Sequence, residues 1–422
     1  MLGCGQANGQ VSLSSMVDLA ERNSAPVRAA VAEVQRATAG LQESKDVYLP
    51  SFVLGSSVGY TYGFPVGQPS VYNINSNSLL YSFSQPDYIR AARAALNSAQ
   101  LNLKDNEEQV ALDTALAYIQ LDSDTRQLAA LGEEKSYAER LASIERDRLL
   151  AGVDGRMEVT RAELTAAQVE ARRLHLEDDA NQLQQKLAHL TGLPVGSFVT
   201  VSKSIPASPE LSPDESVENS LGDKNAGIQA AYANAKSKRL ISWGDEKQNY
   251  RPQFGFGVEY NRYAKFNNYQ EYYLRFQHNN FDVGVQITFP IFDASKRAKA
   301  RESAAEAKRA DAEADQTKFQ TSEQVYSLRH SLRELAAQQR IAELRSELAQ
   351  EQLEAIRAQL QNGSGSPNAP LVTPKDEQLA RIQERERYVD ALDATFQMVK
   401  AELTLMRSLG QIQDWAHSPT NP

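Results

Sequence analysis

Most of this chain carries apolar residues three and four positions apart, with Ala, Glu, Gln and Arg between them. That spacing predicts amphipathic helices. Ile341, Leu344 and Leu348 keep it, as do Leu353, Ile356 and Leu360. The stripe is narrow, which suits helices packed side by side with polar backs to water. Helices are expected over Leu13–Val47, Asp87–Leu150, Arg156–Thr191, Glu215–Lys247, Asp293–Gln361 and Lys375–Gln413. Four short segments alternate with period two instead. Within 51–62, Phe52, Leu54, Val58, Tyr60 and Tyr62 oppose Gly55, Ser57, Gly59 and Thr61. Within 79–84, Leu79, Tyr81 and Phe83 share a face. Within 253–262, Phe254, Phe256, Val258 and Tyr260 oppose Gly255, Gly257, Glu259 and Asn261. Within 281–289, Phe281, Val283, Val285, Ile287 and Phe289 oppose Asp282, Gly284, Gln286 and Thr288.

Alternation alone fits a soluble sheet half-buried under helices as well as it fits a membrane strand. Length favours lipid, since the clearer segments match the ~9–11 residues of a tilted membrane strand. Composition agrees, with aromatics on one face and small or charged residues on the other. Phe52, Leu54, Tyr60, Phe254, Phe256, Val283, Val285 and Ile287 are therefore the candidate lipid-facing side chains. Four strands close no barrel, and an open edge is not viable in hydrocarbon. Two copies would supply eight strands and three copies twelve. An eight-stranded barrel is filled by its own side chains, so a conduit favours three copies.

The pattern also repeats. "PVRAAVAEVQRATAGLQESKDVYLPSF" from Pro26 is echoed by "GIQAAYANAKSKRLISWGDEKQNYRPQF" from Gly227, and "FSQPDYIRAARAA" from Phe83 by "TFPIFDASKRAKA" from Thr288. The expected organisation is an N-terminal tail (1–12), a first repeat (13–191) and a linker (192–213). A second repeat (214–413) and a C-terminal tail (414–422) follow. Each repeat reads helix, strand, loop, strand, very long helix, turn, helix. At ~1.5 Å per residue, 87–150 would run about 96 Å and its two flanking helices about 53 Å each. One long helix beside two stacked short ones, twice over, describes the wall of a cylinder.

Composition narrows the chemistry. The 422 residues carry a net charge of −9 with acids and bases interleaved, which argues against nucleic acid as a partner. The five histidines are scattered, and no phosphate loop or nucleophile motif is present. No catalytic residue, metal site or cofactor is expected. The single cysteine, Cys4, excludes an intrachain disulfide. "MLGC" reads either as the end of a lipoprotein signal, with Cys4 carrying the lipid, or as an ordinary start.

The "YLPS" and "YRPQ" leads into strands, the "FPIFD" corner, "AYIQL" at Ala117–Leu121 and "LTGLP" at the end of the first repeat resemble TolC-type outer membrane efflux proteins. The resemblance covers about Leu13 to Trp415. It implies a mainly α fold with a small β part. Long antiparallel coiled-coil helices would form a periplasmic tunnel, and a homotrimer would build a twelve-stranded barrel in the outer membrane of a Gram-negative cell. It also implies a passive exit duct for efflux or protein secretion, docked to a periplasmic adaptor and an inner-membrane pump. Ala151, Gly152, Val153 and Gly155 fall on the first docking tip of such proteins, and Asn362 and Gly363 on the second. Asp376 falls on the first of two aspartates that ring the tunnel constriction, while Leu379 occupies the place of the second. Glu377 would add charge there, and Arg357 and Arg381 would hold the closed state by ion pairs. The bland alternative for "KDE" is a helix N-terminal turn whose acids favour the dipole. The alternative for the whole chain is a structural coiled-coil protein of the periplasm with a soluble sheet.

Overall fold

The computed structural model describes residues 9–56, 70–207, 224–263, 277, 279–362 and 372–418. Tyr60, Gly363 and Cys4 lie outside the described residues. The described chain runs β1 (Gly9–Val11), α1 (Leu13–Asn23), α2 (Ala25–Asp46), β2 (Ser51–Gly55), β3 (Ser70–Ser82), α3 (Gln85–Leu150) and α4 (Arg156–Thr191). It continues through β4 (Phe198–Thr200), α5 (Ala226–Gln248), β5 (Gln253–Tyr263), β6 (Asn279–Thr288), α6 (Ala294–Asn362), α7 (Pro374–Ser408) and α8 (Ile412–Ala416). Two compact units result: one of residues 1–29, 104–225 and 319–422, the other of 30–103 and 226–318.

The second unit holds a four-stranded antiparallel sheet in the order β2-β3-β5-β6, leaving β2 and β6 as edges. Directly opposed residues in such a sheet share a face. Phe52, Ser76, Val258 and Val283 form one row; Leu54, Ile74, Tyr260 and Phe281 the next. Ser78, Phe256 and Val285 form a third, and Tyr81, Phe254 and Ile287 a fourth. The other face runs through Asn75, Glu259 and Asp282, and through Asn73, Asn261 and Asn280.

The second strand departs from expectation. It spans Ser70–Ser82, not 79–84, because pairing on both sides holds an Asn- and Ser-rich run of poor strand propensity. A register shift between Leu79 and Tyr81 also separates those two side chains, so Leu79 leaves the expected row while the Tyr81 ring meets that of Phe83 edge-on at 5.0 Å. Beyond Ser56, the expected first strand passes outside the described residues.

Small residues let the helices of this unit approach closely. The hydroxyl of Ser98 donates to the Ala230 carbonyl, and that of Ser237 to the Ala91 carbonyl, both at 2.8 Å. The Tyr88 hydroxyl donates to Asp245 at 2.6 Å, and the Tyr88 ring leaves no room at Gly244. A Cβ there would lie 2.6 Å from the ring. Gly244→Ala is expected to destabilise the fold despite a gain of about 1 kcal/mol in helix propensity, since overpacking costs about 1–3 kcal/mol. In a Tyr88→Ala background the same change becomes stabilising. Thermal unfolding of the four proteins measures the cycle.

In the first unit, Leu13, Met16, Leu187, Leu403 and Ile412 pack into one core with Tyr118 of the "AYIQL" segment. The Tyr118 hydroxyl donates to the Val11 carbonyl at 2.8 Å and receives the Val201 amide at 2.6 Å. It thereby fastens a parallel pair, β1 with β4, that joins the expected tail to the expected linker. Three-residue strands carry too little alternation to be read beforehand. The expected helix over 13–47 is two helices. Ser24 is extended (ψ 143°) between them, because Pro26 removes an amide and its ring clashes with the carbonyl four residues back. The last long helix ends at Ser408, not Gln413, at a turn where Gly410 takes φ 69°. Of the helix expected over 215–247, the described part is Ala226–Gln248, with Asn225 outside it and 208–223 outside the described residues.

The same unit buries carboxylates along α3. Both Glu108 oxygens lack a hydrogen-bond partner. Burial pushes Glu108 from its ordinary 4.5 up to about 7; Asp105 adds to this, while Lys104 at 3.9 Å opposes it. Burial likewise raises Asp124 to about 6, helped by Asp179 and Asp393. Between pH 4.5 and 7 the folded chain keeps a proton on Glu108 that the unfolded chain has released, so stability falls as pH rises through that window. Glu108→Gln is expected to flatten that slope and to stabilise the protein above pH 7 by about 1–2 kcal/mol. Denaturation midpoints across pH check it.

Candidate functional site

Three features gather the residues singled out from the sequence: the turn between α3 and α4, the start of α7, and the apolar face of the sheet. At the first turn, α3 stops because Gly152 adopts φ 74°. The Gly152 amide donates to the Leu149 carbonyl and the Val153 amide to that of Arg148 at 2.9 Å, closing the carbonyl end of the helix. Arg148 Nε pairs with Asp154 at 2.5 Å across the turn, and Gly155, still extended, is the residue just before α4. With its backbone satisfied internally, the turn turns apolar side chains outward. Leu150 is 87% exposed, and Val153 and Met157 are also bare. Ala151 is exposed beside them. Asn362 ends α6.

At the start of α7, Thr373 and Asp376 form a reciprocal cap. Asp376 Oδ2 receives the Thr373 amide at 2.8 Å and its hydroxyl at 2.7 Å. The hydroxyl bond is the main reason its pKa lies below the ordinary carboxylate value. Asp376 also lines a cleft of about 400 Å³ with Gln352, Ile356, Leu379 and Gln383, between α6 and α7. Within one chain, Arg357 and Arg381 meet at Glu377 rather than at Asp376. Arg381 donates to Glu377 Oε1 through Nη2 at 2.5 Å and Nε at 3.0 Å, and Arg357 Nε lies 3.7 Å from the same atom. The Arg381 guanidinium also rests over the Tyr137 ring, 5.1 Å from its centre.

One participant was not anticipated from sequence. Lys375 Nζ binds Glu145 at 2.6 Å and Glu158 at 3.5 Å, joining the start of α7 to both helices of the other turn. Glu145 is buried, and its second oxygen has no partner. The Glu145 bond is the main cause that raises the Lys375 pKa. In the sequence Glu145 is one acid among many on a long helix, and no spacing marks it.

On the sheet, Phe52, Leu54, Phe254, Phe256, Val283, Val285 and Ile287 occupy one face by register. No helix covers it at the edges: Phe52 is 75% exposed, and Leu54, Val283, Val285 and Ile287 are bare as well. At 11 residues, β5 has the length of a membrane strand. Among the described residues no helix is long and apolar enough to cross a membrane, and no group of His, Cys, Asp or Glu could hold a metal ion.

A family model described as "Outer membrane efflux protein" matches residues 16–193 and again 224–411. The fold is similar to the outer-membrane channel OprN, with a TM-score of 0.75, 16% identity, and 97% of this chain and 95% of that one covered. It is also similar to the CmeC outer membrane channel of Campylobacter jejuni (TM-score 0.76, 13% identity, 97% and 90% covered). The open state of the MtrE outer membrane channel of Neisseria gonorrhoeae is a further neighbour (TM-score 0.67, 16% identity, 94% and 89% covered). Comparison with curated proteins gives no match.

Proposed function

The chain belongs to the outer membrane efflux protein family, and from that premise we propose that three copies close their sheets into one twelve-stranded barrel in the outer membrane. The helices then continue as a periplasmic tunnel, and the assembly serves as the passive exit duct for an adaptor and an inner-membrane pump. It is no enzyme; its work is to open and close. The observation that carries the reading is the sheet itself. One face is apolar and bare, the other is lined with Asn, Glu and Asp, and β2 and β6 end it with unpaired edges. Such edges are excluded from hydrocarbon unless another chain completes them. A soluble sheet would cover its apolar face, which is why the structural coiled-coil alternative is set aside. Detergent-extracted protein is expected to run as a heat-labile species of three 46.7 kDa chains. A monomer released from cells without detergent overturns the reading.

The exposed Leu150, Val153 and Met157 give an adaptor an apolar docking tip. We assign gating to the start of α7, which meets the α3–α4 turn on one side and α6 on the other. The Lys375–Glu145 clasp and the Arg357–Glu377–Arg381 group hold the closed state. Adaptor engagement at the tip moves α6 and α7 outward. Three Asp376 carboxylates around the axis would favour cations. Asp376→Asn is expected to lower cation preference in planar bilayers severalfold. Thr373→Ala, which removes the cap partner at about 0.5–2 kcal/mol but keeps the charge, leaves it unchanged. Equal selectivity in both variants rules out an Asp376 ring.

A further inference from the structure

We infer that Arg251 and Arg297, both laid against aromatic side chains at the helix-bearing end of the sheet, each bind the phosphate headgroup of an anionic glycerophospholipid. The inference rests on the lipid-facing reading of the sheet and names what meets the sheet where its apolar face stops.

The register sets the level. Ser82, Gln253 and Thr288 stand opposite one another in the last row of the sheet. Immediately beyond that row come Phe83, Arg251 and Phe289, followed by Ile291 and Phe292. Phe289 and Phe292 are exposed, and Ile291 is 91% exposed. Aromatic side chains at the end of an apolar band mark the depth where acyl chains give way to headgroups.

The cations at this level differ in what holds them. Arg90 and Lys247 are both committed to the buried Asp87, Lys247 at 2.5 Å. Arg251 and Arg297 are exposed and form no salt bridge among the described residues. Their guanidiniums stack instead. Arg251 Cζ lies 5.3 Å from the Phe83 ring centre and 5.2 Å from that of Tyr250, and Arg297 Cζ lies 4.8 Å from that of Phe292. Asp293, the acid nearest to Arg297 in sequence, is used to cap α6, accepting the Lys296 amide at 3.0 Å. A stacked guanidinium is held by its faces and keeps its in-plane N–H donors free. That fork matches the paired oxygens of a phosphate. A ring for the acyl chain and a fork for the phosphate therefore sit side by side, once at the start of β5 and once after β6.

The test uses the intact trimer in detergent, titrated with phosphatidylglycerol or with phosphatidylcholine of the same acyl chains, and native mass spectrometry to count retained lipids. Phosphatidylglycerol is expected to be retained in excess. Arg251→Gln and Arg297→Gln should each reduce that retention by roughly fivefold, the contribution of one basic residue at an anionic surface. Phosphatidylcholine retention should not change, nor should either lipid respond to Lys299→Gln. Raising potassium chloride on the wild-type trimer gives a second arm that needs no variant: phosphatidylglycerol is expected to leave and phosphatidylcholine to stay. Equal retention of the two lipids, retention that survives the double substitution, or indifference to salt overturns the inference. Fractionation of the wild-type protein reports the reading beneath it. A trimer resident in the outer membrane yet indifferent to headgroup charge overturns this inference alone, whereas a chain absent from that membrane overturns both.

Discussion

Val285→Arg is expected to abolish the proposed outer-membrane trimer, whereas Gln286→Arg, one residue further on, leaves it assembled. Val285 shares a row with Phe256 and Ser78 on the apolar face, and Gln286 stands opposite Gly255 on the polar one. An arginine near the middle of the lipid face of a barrel costs about 2–4 kcal/mol. Three copies carry the change, so the assembly loses about 6–12 kcal/mol, comparable to the whole stability of a typical domain. The polar face meets water in the proposed barrel and accepts a charge at little cost. Outer-membrane fractionation and the heat-labile band on a gel measure the outcome. If both variants assemble equally, the sheet does not face lipid on the side assigned here.

Lys375→Met carries the second large effect. Lys375 is the only cation within salt-bridge distance of the buried Glu145 among the described residues, and Glu145 has an oxygen without a partner already. Removing one member of a buried pair costs about 3–5 kcal/mol, because the remaining charge stays desolvated. The strain falls on the contact between the start of α7 and the α3–α4 turn. The expected result is a lower barrier to opening: larger single-channel conductance in planar bilayers and entry of solutes the resting duct excludes. Glu145→Gln added to Lys375→Met removes the orphaned charge and recovers most of the lost stability. If conductance does not change while stability falls, the clasp is structural and the gate lies elsewhere.

The long elements were legible because periodicity accumulates over many turns. The helix read at 156–191 spans Arg156–Thr191, and that read at 87–150 starts two residues earlier, at Gln85. β3 was cut short for a different reason. "SVYNINSNS" has poor local strand propensity, and only pairing with β2 and β5 holds it extended. The β1–β4 pair depends on the Tyr118 hydroxyl, a contact between residues far apart in sequence, and no local window contains it. The tips show the same division. Gly152 announces a turn by its type, because few other residues tolerate φ 74°. Glu377 rather than Asp376 receives the two arginines, and Lys375 crosses to Glu145. The Arg381–Glu377 pair sits at i,i+4 spacing within α7 and is open to local reading, whereas the Arg357 and Lys375 pairings follow from which helices are brought side by side, and residue type does not specify them.

The unpaired edges of β2 and β6 also have a genetic consequence. Every seam of the proposed barrel is made from two different chains, so a chain defective at one edge can still recruit healthy neighbours through the other. If a defective and an intact allele are expressed equally and mix freely, only about one trimer in eight contains three intact chains. Edge-strand mutations should therefore behave as dominant, and mutations that prevent a chain from joining at all as recessive.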